Sequence, residues 1–317
     1  MSKVILVTGG AGFIGSHFVR MAVLEADYSV INLDALTYAG RPENNADIKD
    51  NIHYRFVRGS ITDRDLVHEL MQQADFVVNF AAESHVDRSI VNPGIFVETN
   101  VLGTQTLLDV AREHSIRKFV QVSTDEVYGA LALDDKKIFT EETPLAPNSP
   151  YSASKAGADL LCRAAYRTHG VPVCISRCSN NYGTHQLAEK LIPYAVTHAL
   201  KNQPIGIYGD GKYVRDWVHV TDHCRAVLTI LERAEPGSIY NVGSDNEWAN
   251  IDVIKLLLRT LGKPESLIEF TRDRPGHDRR YAIDSSKIQR ELGWRAERTD
   301  FEKELALVID WCKKTYA

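Results

Sequence analysis

The 317-residue chain is 44% hydrophobic and 25% charged, an ordinary globular composition with enough apolar residues for a large core and room for two domains. Its net charge of -5 gives no basic footprint for nucleic acid, and no apolar run approaches the length needed to span a membrane. The five cysteines lack paired spacings and the 11 histidines show no metal-ligand spacing, so reduced thiols in a cytoplasm and no metal site are expected. The N-terminus runs straight into a strand, and no signal peptide is expected.

Residues 4–8 (Val-Ile-Leu-Val-Thr) read as a short buried strand, with an apolar helix from about Phe13. Between them Gly9, Gly12 and Gly15 are spaced G-x-x-G-x-x-G. Such a triplet is weak alone, but between a strand and a helix it has the context of a dinucleotide site. The glycines permit a tight turn and close backbone approach, with the pyrophosphate at the helix N-terminus formed by Phe13 and Ile14. The next strand, 28–33, ends at Asp34, nineteen residues past Gly15. A carboxylate there accepts hydrogen bonds from an adenosine ribose and repels a 2′-phosphate, which favours NAD over NADP. The alternative for Asp34 is a plain loop carboxylate.

Strand–helix alternation continues with a strand at 54–57, a helix at 63–72 and a strand and turn at 76–82. Ser60 and Ile61 follow the third strand and join the cofactor set. Small Ala81 and Ala82 let the backbone lie close to the cofactor. A polar loop, 83–89, leaves the sheet at its carboxyl edge, which assigns Ser84 and His85 to the site rather than to core or surface. A helix over 96–113 carries Asn100, also counted with the cofactor set. Repeated units of this length imply a parallel, doubly wound sheet.

The apolar strand 118–122 leads into Ser123-Thr124-Asp125-Glu126-Val127-Tyr128-Gly129. Side chains at such a strand end face the crevice where open α/β sheets bind ligands. A hydroxyl and two carboxylates placed there suit proton transfer, whereas a strand-ending turn is the plainer alternative. Ser149-Pro150 reads as N-cap and first helical residue. Tyr151 and Lys155 are then i and i+4 on one helix face. A nearby ammonium and a cationic nicotinamide are expected to lower the tyrosine pKa from ~10. Tyr151 then takes a proton from a sugar hydroxyl as hydride leaves. A chance surface pair is the alternative.

A strand at 171–175 runs towards Arg177-Cys178-Ser179-Asn180-Asn181-Tyr182-Gly183, with Cys174 and Cys178 expected to be buried. Helical residues are expected within 186–200, then a strand and turn at 207–211, a strand at 214–220 and a helix at 221–233. Strand 239–242, helix 250–261, strand 268–270 and helices 285–292 and 301–315 complete the chain. Lys190, Arg215, Arg274 and Arg279 could bind a diphosphate, arginine being suited to bidentate phosphate contact. Asp216, Asp273 and Asp278 are adjacent, so ion pairing is the alternative, evenly balanced at Arg279. The division expected is a cofactor domain over 1–178, to which segments near 214–242 return, and a mainly substrate-binding domain over 179–317.

Along almost its whole length the sequence resembles the dTDP-glucose 4,6-dehydratase family of extended short-chain dehydrogenases/reductases. The matching stretches are 8–16, 80–90, 123–129, 151–155, 177–183, 189–193, 208–216 and 276–281. Thr-Asp-Glu before Val-Tyr-Gly is the specific element, because related 4-epimerases and nucleotide-sugar decarboxylases usually lack the Asp-Glu pair. The resemblance implies an α/β fold with a Rossmann-type doubly wound parallel sheet and a smaller C-terminal α/β substrate-binding domain. It implies NAD as cofactor and conversion of dTDP-glucose to its 4-keto-6-deoxy sugar. Asp125 is then the acid at the C6 hydroxyl, Glu126 the base at C5 and Tyr151 the base at the C4 hydroxyl. Thr124 holds the C4 oxygen, and Lys155 tunes Tyr151 and binds the nicotinamide ribose beside Ser123. His85, Asn180, Glu189, Lys190, Arg215, Asn250, Arg274, His277 and Tyr281 line the nucleotide-sugar site. A homodimer packed through helices near 96–113 and 150–168 is implied as well. The chain departs from the family at Thr184-His185-Gln186-Leu187-Ala188, where two prolines and an aromatic are usual, and at Ser60, where an acidic residue is common. A UDP-sugar dehydratase, a 4-epimerase and a non-catalytic NAD-binding sensor are the alternatives. Retention of Thr124, Asp125, Glu126, Tyr151 and Lys155 together argues against the sensor.

Overall fold

Seven short apolar strands pair side by side at the centre of the computed structural model, which describes residues 3–316. In chain order the first half comprises β1 (Val4–Thr8), α1 (Phe13–Leu24), β2 (Ser29–Asp34), β3 (Tyr54–Arg58), α2 (Arg64–Met71), β4 (Phe76–Asn79), α3 (Val86–Val91), α4 (Pro93–Phe96), α5 (Gly103–Glu113), β5 (Lys118–Thr124) and α6 (Pro150–His169). The second half begins with β6 (Val173–Cys178), β7 (Asn180–Tyr182), α7 (Leu191–Leu200), β8 (Ile205–Tyr208), β9 (Val214–His219) and α8 (Val220–Arg233). It ends with β10 (Ile239–Val242), β11 (Glu247–Ala249), α9 (Asn250–Leu261), β12 (Ile268–Thr271), α10 (Ser286–Leu292) and α11 (Phe301–Tyr316).

The large sheet has the order β10-β6-β5-β4-β1-β2-β3, with every pair parallel. The order therefore reverses between β1 and β4, and such a reversal opens a crevice at the carboxyl ends of the strands. Both faces are covered, which explains the unbroken apolar runs. Successive side chains of β1 go to opposite faces. Ile5 and Val7 pack with α1 and α8, while Leu6 packs with α2 and α5. The fold expected from the alternation is the fold observed.

Beyond Cys178 the chain builds two small sheets, β11-β9-β7 and β12-β8. A separate core holds α7, α9 and α11 together around Tyr182, Trp217 and Phe301. Meanwhile α8 and β10 return to the large sheet, whereas β9 pairs in the small one.

Several local expectations give way. Residues 86–91 form α3 rather than a loop, with Ser89 Oγ donating to Val86 O at 2.6 Å. Six residues before Asn92-Pro93 are too few to show a helical period. The expected 96–113 helix contains a π-helical segment, Val97–Leu102. Residues 186–190 are not helical, and the three-residue strands β7 and β11 were not expected.

Candidate active site

The crevice at the switch point is a cleft of about 440 Å³. Its floor begins with the glycine turn. Gly9 has φ +73°, and a Cβ there would lie 2.6 Å from the Ala81 amide nitrogen. A Cβ on Gly15 would run into the carbonyl oxygen of Gly9. Both positions need glycine so that the chain can turn between β1 and α1. Gly12 is the N-cap of α1 and has no side chain to satisfy the first helical N–H groups. Those donors and the helix dipole suit an anion. Gly12, Phe13, Ile14, Ser60, Ile61, Ala81 and Ala82 all line the cleft.

Asp34 lines it too, at the end of β2. Its Oδ2 accepts from the Ala11 amide at 2.9 Å, and its Oδ1 from Leu36 at 2.8 Å. The carboxylate thus ties the glycine turn to the next loop while keeping lone pairs for a ribose. Burial pushes its pKa up, and the two amide donors oppose this. Ser123 Oγ is buried and without a protein partner at the same cleft. An uncapped helix start, a side-chain-free turn, an acceptor at the ribose position and an unpartnered hydroxyl together fit a dinucleotide. Asn100 does not line the cleft. Its amide is taken up by the Glu83 backbone, at 2.8 and 3.0 Å, and by Ser154 Oγ at 2.8 Å, so it braces the wall from behind.

The strand end of β5 and the start of α6 bring the proton-transfer groups together. Thr124 caps a 3-10 turn, Asp125–Tyr128, accepting from the Glu126 amide at 3.3 Å. Its Oγ1 donates to Asp125 Oδ1 at 3.2 Å, and Asp125 Oδ2 is buried without a partner. Opposite, Ser149 and Ser152 form a reciprocal capping box that fixes where α6 begins. Tyr151 and Lys155 therefore project from one helix face into the cleft, and Lys155 Nζ donates to Val122 O at 2.7 Å.

The electrostatics separate these groups. Burial pushes Asp125 well above the usual carboxylate range, and the charge of Glu126 pushes the same way. Burial also raises Glu126, but Arg274 and Arg215 pull it back. Lys155 is lowered by burial, with Asp159 opposing. Tyr151 corrects the expectation of a lowered pKa: burial, then the charge of Glu126, drives it well above its ordinary value, and a Thr124 hydrogen bond only opposes this. The ammonium of Lys155 is directed at a main-chain carbonyl, and two carboxylates flank the tyrosine on its other side.

The residues expected to bind substrate come from widely separated segments. Ser84, Asn180 and Lys190 line the cleft, and Lys190 Nζ donates to Ser84 O at 3.4 Å. His85, Glu189, Arg215, Asn250, Arg274, His277 and Tyr281 are not on the wall of that cleft. Arg215 and Arg274 nevertheless act on Glu126, and Tyr281 feels its charge. Arg215 stacks over Tyr281 at 4.2 Å, whose hydroxyl donates to Asp278 at 2.6 Å. Arg274 pairs with Asp87 at 3.8 Å, and its Nε has no partner. His85 lies 3.9 Å from Glu189, which also takes Arg88 at 3.2 Å. His277 stacks on Tyr213 and pairs with Asp273 at 2.7 Å. Asn250 opens α9 with a buried, unpartnered Oδ1. Arg279 is spent on a bidentate pair with Asp210 at 2.7 and 2.6 Å, so ion pairing is its role.

The unusual 184–188 loop is held from two sides. His17 Nε2 meets Thr184 O at 3.0 Å, His185 lies against Trp311, and Tyr316 donates to Gln186 O at 2.9 Å. Gln186 and Leu187, from the departing loop, line the cleft, and so do Thr37, Gly40 and Ser179, which were not among the expected site residues. Thr37 and Gly40 follow Asp34 closely, and that adjacency was the one available signal.

Known proteins agree with this geometry. The GDP-mannose 4,6-dehydratase family profile matches residues 6–306. A dTDP-glucose 4,6-dehydratase of Mycobacterium tuberculosis is 52% identical, covering 97% of this chain and 92% of that protein. One from Xanthomonas campestris is 51% identical over 96% and 92%. The crystal structure of DesIV, a dTDP-glucose 4,6-dehydratase from Streptomyces venezuelae solved with NAD and dTDP bound, superposes with a TM-score of 0.95. It is 48% identical, over 98% of this chain and 97% of that one.

Proposed function

The chain belongs to the dTDP-glucose 4,6-dehydratase family, and from that premise we propose that it is an NAD-dependent hydro-lyase converting dTDP-glucose to dTDP-4-keto-6-deoxyglucose. The observation that carries this reading is the pairing of buried Asp125 with half-buried Glu126 in one cleft with Tyr151 and the glycine turn. NAD, when bound, accepts hydride from C4 of the sugar and returns it to C6. Gly9, Gly12, Gly15, Phe13 and Ile14 would hold its pyrophosphate, Asp34 its adenosine ribose, and Ser123 and Lys155 its reactive end.

The remaining steps belong to the protein. Tyr151 takes the proton of the C4 hydroxyl as a phenolate, which requires the positive charge of the bound nicotinamide to offset the burial and carboxylate charge that raise it, and Thr124 holds that oxygen. The C4 ketone acidifies the C5–H bond, and Glu126 removes that proton and returns it to C5 as hydride reaches C6. Hydroxide is a poor leaving group, so Asp125 protonates the C6 hydroxyl, which departs as water. The unequal environments support these roles. Two titratable groups pushed apart in pKa divide naturally into an acid and a base. Burial and the charges of Glu126 and Asp216 favour protonated Asp125 with Arg215 opposing, whereas both Arg274 and Arg215 favour ionised Glu126. Arg215, Arg274, Lys190 and Asn180 would hold the nucleoside diphosphate, with His85, Glu189, Asn250, His277 and Tyr281 around them.

Residues 1–178 with 220–242 then serve the cofactor and the rest mainly the sugar nucleotide. We infer a homodimer, supported by exposed apolar residues on the α5–α6 side. Five free, buried cysteines support a reducing, cytoplasmic setting. Incubating the purified protein separately with dTDP-glucose and UDP-glucose and weighing the products tests the reading. Loss of one water from the dTDP sugar alone is expected. Loss from UDP-glucose alone would move the base specificity, and an unchanged mass with both would overturn the dehydratase assignment.

A further inference from the structure

Behind the reacting groups, one interior histidine is joined to the cleft wall. His223, in the first turn of α8, has no exposed surface. Its Nδ1 lies 2.9 Å from Asn181 Oδ1, and its Nε2 is enclosed without a partner. Asn181 lines the cleft. Its Nδ2 donates to Ser179 O at 3.0 Å and lies 3.4 Å from Cys178 Sγ. With the amide donor directed at a carbonyl, Oδ1 must face the ring, and the ring must carry its proton on Nδ1. Burial holds His223 down at about 3, so the ring is neutral and this tautomer is the one present near neutral pH.

The position matters because residues 178–181 are where the chain leaves the large sheet and enters β7. The turn carries Ser179 and Asn180 into the cleft wall. The main-chain oxygen of Asn181 also accepts from Gln186 Nε2 at 3.1 Å, which ties in the unusual loop. One residue along α8, Cys224 Sγ lies 3.5 Å from Ile14 O, behind the glycine turn. The start of α8 therefore braces both sides of the cleft.

We propose that His223 is a positioning residue for the sugar-nucleotide side of the cleft: its Nδ1–H holds the Asn181 amide, and so fixes the 178–181 turn that presents Ser179 and Asn180. This rests on the sugar-nucleotide reading above. It is tested on the holoenzyme with dTDP as probe in calorimetry, beside steady-state turnover of dTDP-glucose and thermal melting. His223→Leu removes the donor at similar volume. The expected result is a rise of about three- to tenfold in both the dTDP Kd and the KM for dTDP-glucose, the worth of one lost interior hydrogen bond, with a smaller change in kcat. His223→Asn can place its Nδ2 where Nδ1 was, and should restore both constants. Asn181→Ala removes the acceptor instead and should give the same rise. If His223→Leu does not fold, the Asn181→Ala and His223→Asn pair still decides. A lower Tm with Kd and KM unchanged would make the contact merely structural and overturn the proposal, as would failure of His223→Asn to restore binding. A wild-type enzyme that neither binds dTDP nor dehydrates its sugar overturns the underlying reading itself, an outcome visible before any variant is compared.

Discussion

Asp125 and Glu126 are neighbours in sequence, the first buried and the second half-buried, and their surroundings differ. Asp125 has a partnerless oxygen, and the charges of Glu126 and Asp216 add to its burial against Arg215 alone, while Glu126 has both Arg274 and Arg215 opposing its burial. Asp125→Asn keeps the shape and removes the transferable proton. It should lower dehydration by about 10²–10⁴-fold, the usual worth of a general acid, while the absorbance of the reduced dinucleotide still appears on adding substrate. Full dehydration in this variant would remove Asp125 from the acid role. The same substitution has a stability consequence of fixed sign. A carboxyl whose folded pKa is raised binds its proton more tightly when folded, so ionising it costs stability. That cost is absent below the unfolded pKa, grows as pH rises between the two values and is complete above the folded one. Asp125→Asn should therefore melt higher than wild type at neutral and alkaline pH, with the gap closing on acidification. A constant gap across pH would show that Asp125 does not titrate with folding. Tyr151 shows where residue-level reading fell short. Its helix spacing to Lys155 was visible, but its pKa is raised first by burial and then by two carboxylates that the turn after β5 brings to it.

Elements explain how such groups are held in place. The start of α6 is set by Ser149 and Ser152, whose hydroxyls and amides satisfy each other at 3.0 Å in both directions. Two residues on, Tyr151 enters the cleft. Ser149→Ala should cost about 1 kcal/mol by denaturant unfolding, as loss of an N-cap does, and should lower kcat more than KM because the first turn carries the base. Unchanged kcat with lowered stability would separate the cap from the chemistry. This helix start was legible because Ser-Pro carries its own local chemistry. The glycine turn was legible for the same reason, since its spacing reports a backbone shape. By contrast, α3 and the strands β7 and β11 were not. Six residues or fewer give no period, and β7 and β11 exist because β9 lies beside both of them. The π segment at 97–102 left no compositional mark either, being a change in hydrogen-bond register within an ordinary helical sequence.

At the scale of the whole molecule, the parallel sheet was written in the strand–helix alternation, whereas the substrate side was not. Asp87 meets Arg274, Glu189 meets Arg88, and Gln186 meets Tyr316 across separations of more than a hundred residues. Local patterns cannot encode such pairings, and resemblance to a family supplied the expected substrate residues but not these contacts. The outer surface raises a related question of what lies against it. Val97, Leu102 and Leu160 are 55%, 54% and 56% exposed, on the 97–102 segment and α6, which pack side by side. Isolated exposed apolar residues need no explanation, but a group on adjoining helices marks an interaction surface. A second copy presenting the same helices would cover it in a self-complementary contact. A standard interface needs about 800 Å² from each partner, within reach of two adjoining helices. Val97→Lys combined with Leu160→Lys would place two like charges in the seam and, by the twofold relation, face them with two more. Light scattering should then report a dimer for the wild type and a monomer for the variant. The variant should keep the wild-type far-ultraviolet circular dichroism, since neither side chain contributes to the buried core. A double variant that remains dimeric would move the interface to another face of the molecule.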